Sequence, residues 1–315
     1  MRSSDVAFVF PGQGSQHVGM GKDLFERFEE VKELYRSASA LLGYDVAALS
    51  FEGPPAELNR TSRTQPCLLV ASVAAYTALE SRGLRPAAVA GHSLGEYSAL
   101  VAAGSISFMD AVKLTALRGR IMQEAVPEGK GLMAAILGLD RAAVDSLCSA
   151  VTAGYVGVAN YNCPGQIVIS GERGAVEEAM GRALEGGARK VMALAVSVPS
   201  HCRLMEEAGR AFKEELAAFD IRDAQVRFVN NVEAGFISKA DEIRASLVRQ
   251  ISRSVRWEDC VKTLHASGIM TFVEVGPGRV LSGLIKRTVP GARLFNVENG
   301  ESLEGALSQI AAGGS

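Results

Sequence analysis

The sequence has few cysteines, and their arrangement argues against two common kinds of cross-link. Five cysteines are scattered over 315 residues, their number is odd, and no two of them form a Cys-x-x-Cys pair. A disulfide framework uses an even set of cysteines, and a structural zinc site uses closely spaced pairs of ligands. We therefore expect neither, and scattered free thiols are typical of a protein from the reducing cytoplasm.

Histidine is scarce as well, which argues against a metal centre. The four histidines are far apart in the sequence, and the only close pair among the histidines and cysteines is His201 beside Cys202. Adjacent residues at the start of a predicted helix point to different sides and cannot bind one ion. We expect no metal ion and no bound cofactor.

Blocks of like charge and long apolar runs are also missing. Lys and Arg total 33 and Asp and Glu total 35, which gives a net charge of −2. Such a balance makes nucleic acid and anionic membranes poor partners. No apolar run has the length of a membrane span, and no signal-peptide pattern precedes the first predicted strand. We expect a cytoplasmic monomer that binds neither nucleic acid nor a membrane.

Strands and helices alternate along most of the chain, which predicts an α/β fold. With 48% hydrophobic residues the chain can bury a large core. Short apolar segments bounded by Gly and Pro predict strands at residues 6–10, 87–90, 226–230, 271–275 and 293–297. Helical periodicity predicts helices at residues 22–42, 65–79, 94–103, 107–125, 241–251, 257–266 and 280–287. Two further helices are predicted, one after residues 200–202 and one after the last strand. This alternation predicts an α/β-hydrolase-like large domain with a mostly parallel sheet, formed by residues 1–128 and 199–315.

Residues 129–198 follow a different order of elements. The pattern is β-α-β-β-α-β, which is the ferredoxin-like arrangement. The predicted strands are 132–137, 155–159, 166–170 and 190–196, and the predicted helices are 140–151 and 172–184. We expect a small ferredoxin-like domain inserted into the large one.

The segment Gly91-His92-Ser93-Leu94-Gly95 has the pattern Gly-x-Ser-x-Gly between a predicted strand and a predicted helix. Strand, sharp turn and helix are the context that a nucleophile elbow requires. In that context the hydroxyl of Ser93 is exposed on a strained turn, and the N–H of Leu94 points at the carbonyl that Ser93 attacks. The alternative is a turn tightened by two glycines in which Ser93 only caps the helix.

A serine nucleophile needs a base, because its hydroxyl is a poor nucleophile at neutral pH. His201 lies at the predicted domain boundary, where clefts tend to hold catalytic groups. His17 is a second candidate, because it lies near the first glycine-rich loop, which we define as residues 11–16. A site without a histidine base is a third possibility. We expect His92 to point away from Ser93 and His265 to lie on the surface. Several acids or a backbone carbonyl could orient the base.

Arg118 falls on the apolar side of its predicted helix, together with Leu114 and Met122. A guanidinium directed into a core is costly unless an anion meets it. Three explanations are open: an ion pair with a buried carboxylate, a side chain that extends to the surface, or a bidentate clamp for a substrate carboxylate.

Several segments of the sequence, taken in their order along the chain, resemble motifs of the malonyl-CoA:acyl carrier protein transacylase family. These are the acyltransferases of bacterial fatty acid synthesis. The resemblance covers essentially the whole chain, and several motifs in order are more specific than any one of them. The matching motifs are Phe10-Pro11-Gly12-Gln13-Gly14-Ser15-Gln16, Thr64-Gln65-Pro66, Gly91-His92-Ser93-Leu94-Gly95-Glu96-Tyr97, Arg118-Gly119, Asn160-Tyr161-Asn162, Pro199-Ser200-His201 and Glu274-Val275-Gly276-Pro277-Gly278.

The resemblance implies a catalytic role for five of the matching residues. Ser93 would be the nucleophile and His201 its base. The N–H groups of Gln13 and Leu94 would form the oxyanion hole, which gives the first glycine-rich loop a purpose. Arg118 would bind the free carboxylate of a malonyl group.

Three further positions follow from the same resemblance. The backbone carbonyl of Gln250 would orient His201 in place of an acid. Asn162 would lie near the acyl or coenzyme site, and Ser200 matches the form of the family that uses malonyl groups. One departure is Ser254, where the family pattern has proline, close to the Gln250 segment whose support of His201 it puts in doubt.

The activity that the resemblance implies is ping-pong transfer of malonyl from malonyl-CoA to the phosphopantetheine thiol of holo acyl carrier protein. The malonyl-serine intermediate would supply extender units for fatty acid synthesis without a metal or cofactor. Carrier proteins are acidic, so we expect a basic docking patch, with Arg189, Lys190, Lys286 and Arg287 as candidates. The alternatives are an acyltransferase of polyketide synthesis, a serine thioesterase or esterase with the same elbow, and a non-catalytic scaffold that binds carrier protein.

Overall fold

The larger of two sheets forms the centre of the protein. The computed structural model describes residues 5–127, 129–194, 196 and 198–312. Six strands build this sheet: β1 (Val6–Phe10), β2 (Ala88–Gly91), β7 (Arg227–Val229), β8 (Phe236–Ile237), β9 (Thr271–Val275) and β10 (Arg293–Val297). Their order is β10-β9-β1-β2-β7-β8, and every neighbouring pair is parallel except β7 with β8. The mostly parallel sheet that the sequence predicted is confirmed.

Helices cover both faces of this sheet, as a parallel sheet requires. Alternate residues of β1 point to opposite faces, so Phe8 and Phe10 enter one core and Ala7 and Val9 enter the other. The first core is covered by α1 (Lys22–Arg27), α2 (Glu29–Leu42), α3 (Val46–Glu52), α4 (Pro55–Leu58), α5 (Thr61–Ser81), α6 (Gly95–Ala102), α7 (Phe108–Glu124), α10 (Glu206–Leu216), α11 (Ala240–Gln250) and α14 (Gly300–Ala312). The second is covered by α12 (Trp257–Ala266) and α13 (Val280–Thr288).

The second sheet has four strands and carries two helices. Its strands are β3 (Gly131–Leu137), β4 (Val156–Cys163), β5 (Gln166–Glu172) and β6 (Lys190–Ala193), and its helices are α8 (Arg141–Ser149) and α9 (Arg173–Glu185). All neighbours pair antiparallel in the order β4-β5-β3-β6, so the ferredoxin-like arrangement is confirmed. The predicted strand 190–196 ends at Ala193, and Ala195 lies outside the described residues. The division of the chain into domains at residues 128/129 and 198/199 stays a prediction.

Several predicted boundaries were wrong, and each has a local cause. Residues 22–42 are two helices, because Phe28 between them is extended, with φ −121° and ψ 122°. Two acids then begin α2, where they stabilise a helix N-terminus. The predicted helix 65–79 begins earlier, at Thr61, with Pro66 inside it. The sequence analysis missed α3, α4 and β8, which are short.

The strand β4 runs further than predicted and pairs with the segment between α11 and α12. Its pairing with β5 shifts register between Val158 and Asn160 and again before Cys163. Such bulges redirect side chains at functional positions. Beside the first bulge, Val255 donates its N–H to Ala159 at 2.8 Å and accepts the N–H of Tyr161 at 2.9 Å. These two bonds tie the small sheet to the segment that follows α11.

None of the helices in the described ranges combines the length and hydropathy that crossing a bilayer requires.

Candidate active site

The turn that carries Ser93 is tight and strained. β2 ends at Gly91, α6 begins at Gly95, and Ser93 between them has a φ of 52°. Left-handed backbone is rare for a residue with a side chain and persists only where its surroundings hold it. A Cβ on Gly91 would lie 1.9 Å from the carbonyl carbon of Gly95, and one on Gly95 would lie 2.1 Å from the carbonyl oxygen of Phe10. Strand and helix therefore cross at a distance that only glycine permits.

Ser93, His201 and Gln250 form a chain of hydrogen bonds. The Oγ of Ser93 lies 2.7 Å from Nε2 of His201, and Nδ1 of His201 lies 2.7 Å from the backbone oxygen of Gln250. A carbonyl oxygen only accepts, so Nδ1 carries the hydrogen and Nε2 is left to accept the proton of Ser93. The arrangement is that of a nucleophile, its base and an orienting group, with a carbonyl in the place of a carboxylate.

The imidazole of His201 is almost fully enclosed. The residue is 4% exposed, has a φ of 60°, and donates its backbone N–H to Ile251 at 3.2 Å. Burial, reinforced by the positive charge of Arg118, lowers the pKa of His201 to about 3. The ring is therefore neutral near pH 7, which is the form that can accept a proton.

The other three histidines are occupied elsewhere. His17 is exposed, and its nearest partners are the carbonyl of Val18 at 3.2 Å and Glu298 at 3.9 Å. His265 is exposed on α12. Nε2 of His92 lies 2.9 Å from Oδ1 of Asn162. Of the four histidines, all of them described, His201 is the one bonded to Ser93.

Arg118 is buried beside the nucleophile and contacts amides in place of acids. It is 1% exposed. Its Nη1 donates to Oε1 of Gln65 at 2.9 Å, and its Nη2 donates to Oε1 of Gln250 at 2.9 Å and to Oγ of Ser93 at 3.3 Å. Its Nε finds no hydrogen-bond partner in the described chain. The side chain neither reaches the surface nor touches an internal carboxylate, so its charge is available to an anion beside Ser93.

The sequence analysis missed Asn231 and the side-chain role of Gln250, which together hold this turn from behind. Oδ1 of Asn231 accepts the N–H of Ser93 at 2.7 Å, and its Nδ2 donates to the carbonyl of Gly91 at 2.7 Å. The side chain of Gln250 donates to the carbonyl of Ser93 at 2.9 Å. Asn231 follows β7, the parallel neighbour of β2, and ligands of parallel sheets bind beyond the carboxyl ends of such strands. The position of Asn231 at the carboxyl end of a predicted strand could have identified it from the sequence as a candidate site residue.

Two backbone N–H groups border the nucleophile and have no other partner. Within the described ranges, neither Gln13 nor Leu94 donates its N–H to another group. A Cβ on Gly12 would lie 2.3 Å from the carbonyl oxygen of His92, so the first glycine-rich loop packs directly against the turn. Free N–H groups beside a serine are what a tetrahedral oxyanion requires.

A cleft of about 900 Å³, its open mouth included, leads to Ser93. Ser200 lines it beside His201, and Asn162 lines it from the bulged strand β4. Apolar side chains from the small sheet, the segment after β6 and the helices α7 and α13 complete the walls: Met122, Met133, Val168, Leu194, Val280 and Leu284. A mostly apolar cleft with a few convergent polar groups is typical of a small-ligand site.

The cysteines and the possible metal ligands of the regions that the structure covers were compared with the serine and histidine of the cleft. No three His, Cys, Asp or Glu side chains of those regions lie in position to share a metal ion. All five cysteines are free thiols, and burial raises the pKa of Cys202, next to His201. Ser93 and His201, joined at 2.7 Å, are the candidate reactive pair of this cleft.

A serine beside a neutral imidazole, two free N–H groups and a buried cation define an acyl-transferring site. In agreement, residues 7–304 match the family model described as acyl transferase domain. The chain is 50% identical over 288 residues to the malonyl CoA-acyl carrier protein transacylase of Escherichia coli strain K12, covering 91% of this chain and 93% of that one. The Bacillus subtilis strain 168 protein of the same name is 45% identical over 309 residues, with 98% of each chain covered.

Solved structures give the same result. A malonyl-transacylase in complex with its holo type II PKS acyl-carrier protein superposes with a TM-score of 0.95 at 46% identity, over 97% of this chain and 99% of that one. An acyl carrier protein S-malonyltransferase from Vibrio cholerae superposes with a TM-score of 0.93 at 46% identity, over 96% and 99%. The chain belongs to the malonyl CoA-acyl carrier protein transacylase family, as the motifs indicated.

Proposed function

We propose that the protein transfers the malonyl group of malonyl-CoA to the phosphopantetheine thiol of an acyl carrier protein, through a malonyl ester on Ser93. One observation carries this proposal for the present chain. The Nη2 of Arg118 lies 3.3 Å from the Oγ of Ser93, and the guanidinium is held by the neutral amides of Gln65 and Gln250. A buried cation at the nucleophile favours an acyl group that ends in a carboxylate, as malonyl does and acetyl does not.

In the first half-reaction Ser93 attacks the thioester carbonyl of malonyl-CoA while Nε2 of His201 takes the hydroxyl proton. The negative charge on the former carbonyl oxygen is held by the N–H groups of Gln13 and Leu94. Loss of one such donor costs on the order of 10²–10³ in rate. The C–S bond then breaks, the imidazolium returns its proton to the coenzyme A sulfur, and the malonyl ester remains on Ser93.

The second half-reaction runs the same steps in reverse with a new thiol. The phosphopantetheine thiol of the carrier protein gives its proton to His201 and attacks the ester carbonyl. The C–O bond breaks, the serine oxygen recovers the proton, and the malonyl thioester leaves on the carrier. One thioester replaces another, so the exchange is close to isoenergetic. The residues named supply every proton transfer, and the proposed reaction needs no metal or cofactor.

Carrier docking is proposed on the basic residues Arg189, Lys190, Lys286 and Arg287, all of which are exposed. Their proximity supports the proposal. A Cβ on Gly165 would lie 3.8 Å from Nη2 of Arg287 and 3.8 Å from the backbone of Gly138, and a Cβ on Gly138 would lie 3.0 Å from Cβ of Arg189. Arg189 and Arg287 therefore lie on neighbouring parts of one surface, with Lys190 and Lys286 next to them in sequence, and an acidic carrier would complement such a surface.

The pathway and the cellular location are parts of the same proposal. We assign the malonyl product to fatty acid synthesis, with polyketide synthesis as the alternative, since one similar structure holds a type II PKS acyl-carrier protein. Comparing transfer rates to a fatty acid carrier and a polyketide carrier separates the two. A cytoplasmic location is supported by the five free thiols, which are typical of a reducing compartment.

Intact-mass spectrometry tests the proposed activity. The protein is mixed with malonyl-CoA or acetyl-CoA, and the acylated protein is then given holo acyl carrier protein or buffer alone. We expect a malonyl adduct that is absent from Ser93→Ala and that moves to the carrier faster than water removes it. Release by water at an equal rate would indicate a thioesterase, and the absence of an adduct would indicate a non-catalytic scaffold.

A further inference from the structure

Glu96 is a fully buried carboxylate that the proposed mechanism does not use. It lies in the first turn of α6, three residues after Ser93, and is 0% exposed. Burying an ionisable acid is costly unless hydrogen bonds repay the lost water. The contacts of Glu96 therefore indicate what it is for.

Both carboxylate oxygens of Glu96 accept hydrogen bonds from residues that touch the site. Oε1 accepts the backbone N–H of Asn231 at 2.5 Å, and Oε2 accepts Nε2 of Gln250. The same Gln250 amide presents its Oε1 to Nη2 of Arg118 at 2.9 Å. One amide thus connects the buried acid with the buried cation.

This connection fixes the orientation of the Gln250 amide. Arg118 has no acceptor atom, and the carbonyl of Ser93 and Oε2 of Glu96 both accept from the NH₂ group of Gln250, so only one of the two amide orientations satisfies all three neighbours. Burial raises the pKa of Glu96 to about 8. The ionised form is the one in which both oxygens can accept hydrogen bonds, and the bonds from Asn231 and Gln250 favour it against that burial. The opposite orientation would direct the NH₂ group at the guanidinium.

We propose that Glu96 is a positioning residue for malonyl selection, acting through the side chain of Gln250 to keep Arg118 directed at Ser93. The inference rests on the roles proposed above for Ser93 and Arg118. It assigns Glu96 no contact with the substrate. The His201 side of the site is left unaffected, because His201 is held by the backbone oxygen of Gln250 and not by its amide.

The isosteric change Glu96→Gln breaks this connection selectively. The new amide can keep its oxygen on the N–H of Asn231, but its NH₂ group then faces the NH₂ group of Gln250. The Gln250 amide must then either keep this unfavourable donor–donor contact or turn over, which gives up its bonds to the carbonyl of Ser93 and to Arg118. In both cases its hold on Arg118 is weakened. Losing a hydrogen bond to a charged group corresponds to about a 10- to 100-fold loss. We expect that loss in the rate constant for malonyl ester formation, with acetyl ester formation changed less than about 3-fold.

A double-mutant cycle with Gln250→Met tests whether Gln250 transmits the effect. Methionine keeps the volume but removes the amide, so Glu96→Gln should cost malonyl transfer less than about 3-fold in that background. Glu258→Gln is the matched control. Glu258 is also a buried acid, at 6% exposed, but it pairs with Arg141 and Lys262. We expect the Glu258→Gln variant to keep the wild-type ratio of malonyl to acetyl ester formation.

The outcomes separate this inference from the proposed function. If the wild-type protein forms no malonyl ester on Ser93, the proposed function fails and the inference fails with it. If the wild type is malonylated and Glu96→Gln slows both acyl groups equally, or acts independently of Gln250, the inference alone is overturned. If Glu96→Gln does not fold, Gln250→Met by itself must lower the malonyl-to-acetyl ratio, and an unchanged ratio contradicts the inference.

Discussion

The two residues that face each other in the cleft are held in opposite ways. Ser93 and His201 both have left-handed backbone, with φ of 52° and 60°. The turn of Ser93 is made possible by its own neighbours, because Gly91 and Gly95 let the strand and the helix cross, and Asn231 and Gln250 then add hydrogen bonds to it. His201 has no such local device, since Ile251 accepts its backbone N–H and Gln250 accepts its ring N–H. The position of the proposed nucleophile thus begins with local sequence, whereas that of the proposed base depends on tertiary contacts.

The largest expected effect comes from removing the base. His201→Ala leaves Ser93 without a proton acceptor, and a general base contributes about 10²- to 10⁴-fold. We expect the rate of malonyl ester formation to fall by that factor, as measured by intact-mass spectrometry of quenched single-turnover reactions. His17→Ala is the control, because His17 was the other candidate base and lies at the surface. A loss with His17→Ala equal to that with His201→Ala would show that the base has been misassigned.

The local side of the comparison is tested by stability. A Cβ on Gly91 would overlap the backbone of Gly95, and neither chain segment can move without opening the turn. We expect Gly91→Ala to lower the free energy of unfolding in urea by about 3 kcal/mol or more. Gly181→Ala in α9 is the control, since a Cβ there meets nothing within 4 Å and should stabilise the helix by up to ~1 kcal/mol. Equal stability of the two variants would refute the local account.

The tertiary side is tested by pH. Burial and the charge of Arg118 lower the pKa of His201 from 6.5 to about 3. Between these two values an unfolded chain binds the proton more readily than the folded one, so this group destabilises the fold as pH falls through that window. While the protein remains folded, the ring stays neutral. We expect the rate of ester formation to stay level from about pH 7.5 to about pH 5, in contrast to the fall expected near an ordinary histidine pKa.

The smallest expected effect is at Ser254, where the family pattern has proline. Despite that departure, the Gln250 carbonyl still holds His201. Oγ of Ser254 donates to the carbonyl of Val158 at 2.5 Å, but the two backbone bonds of Val255 with β4 do not involve it. Ser254→Pro should change stability by less than about 1.5 kcal/mol and ester formation by less than about twofold. A larger loss of activity would mean that Ser254 supports His201.

Features set by local sequence could be predicted, and features set by tertiary contacts could not. The elbow, the strand β9 and the start of α7, where Oγ of Ser107 accepts the N–H of Asp110, are set by neighbours in sequence, and their positions were predictable. The break at Phe28 was not, because it depends on an aromatic residue taking extended backbone inside a helical pattern. Ranking His201 above His17 rested on a domain boundary, and only the folded chain brings His201 to Ser93.

The surroundings of Arg118 show what sequence could not supply. Helical periodicity placed the guanidinium in an apolar environment and left three explanations open. The choice among them depends on Gln65 and on the side chain of Gln250, which come from α5 and α11. The family motifs pointed to Gln65 but gave it no role, and no spacing rule connects residues so far apart. Long-range contacts of this kind require coordinates.

The most direct test of the central claim is the malonyl-to-acetyl ratio of ester formation on Ser93 in wild-type protein and in Arg118→Ala. Removing one partner of a buried, bidentate guanidinium–carboxylate pair costs roughly 2–5 kcal/mol of binding free energy. We predict that malonyl ester formation falls by that amount in Arg118→Ala while acetyl ester formation falls far less. Equal losses for the two acyl groups would contradict the account.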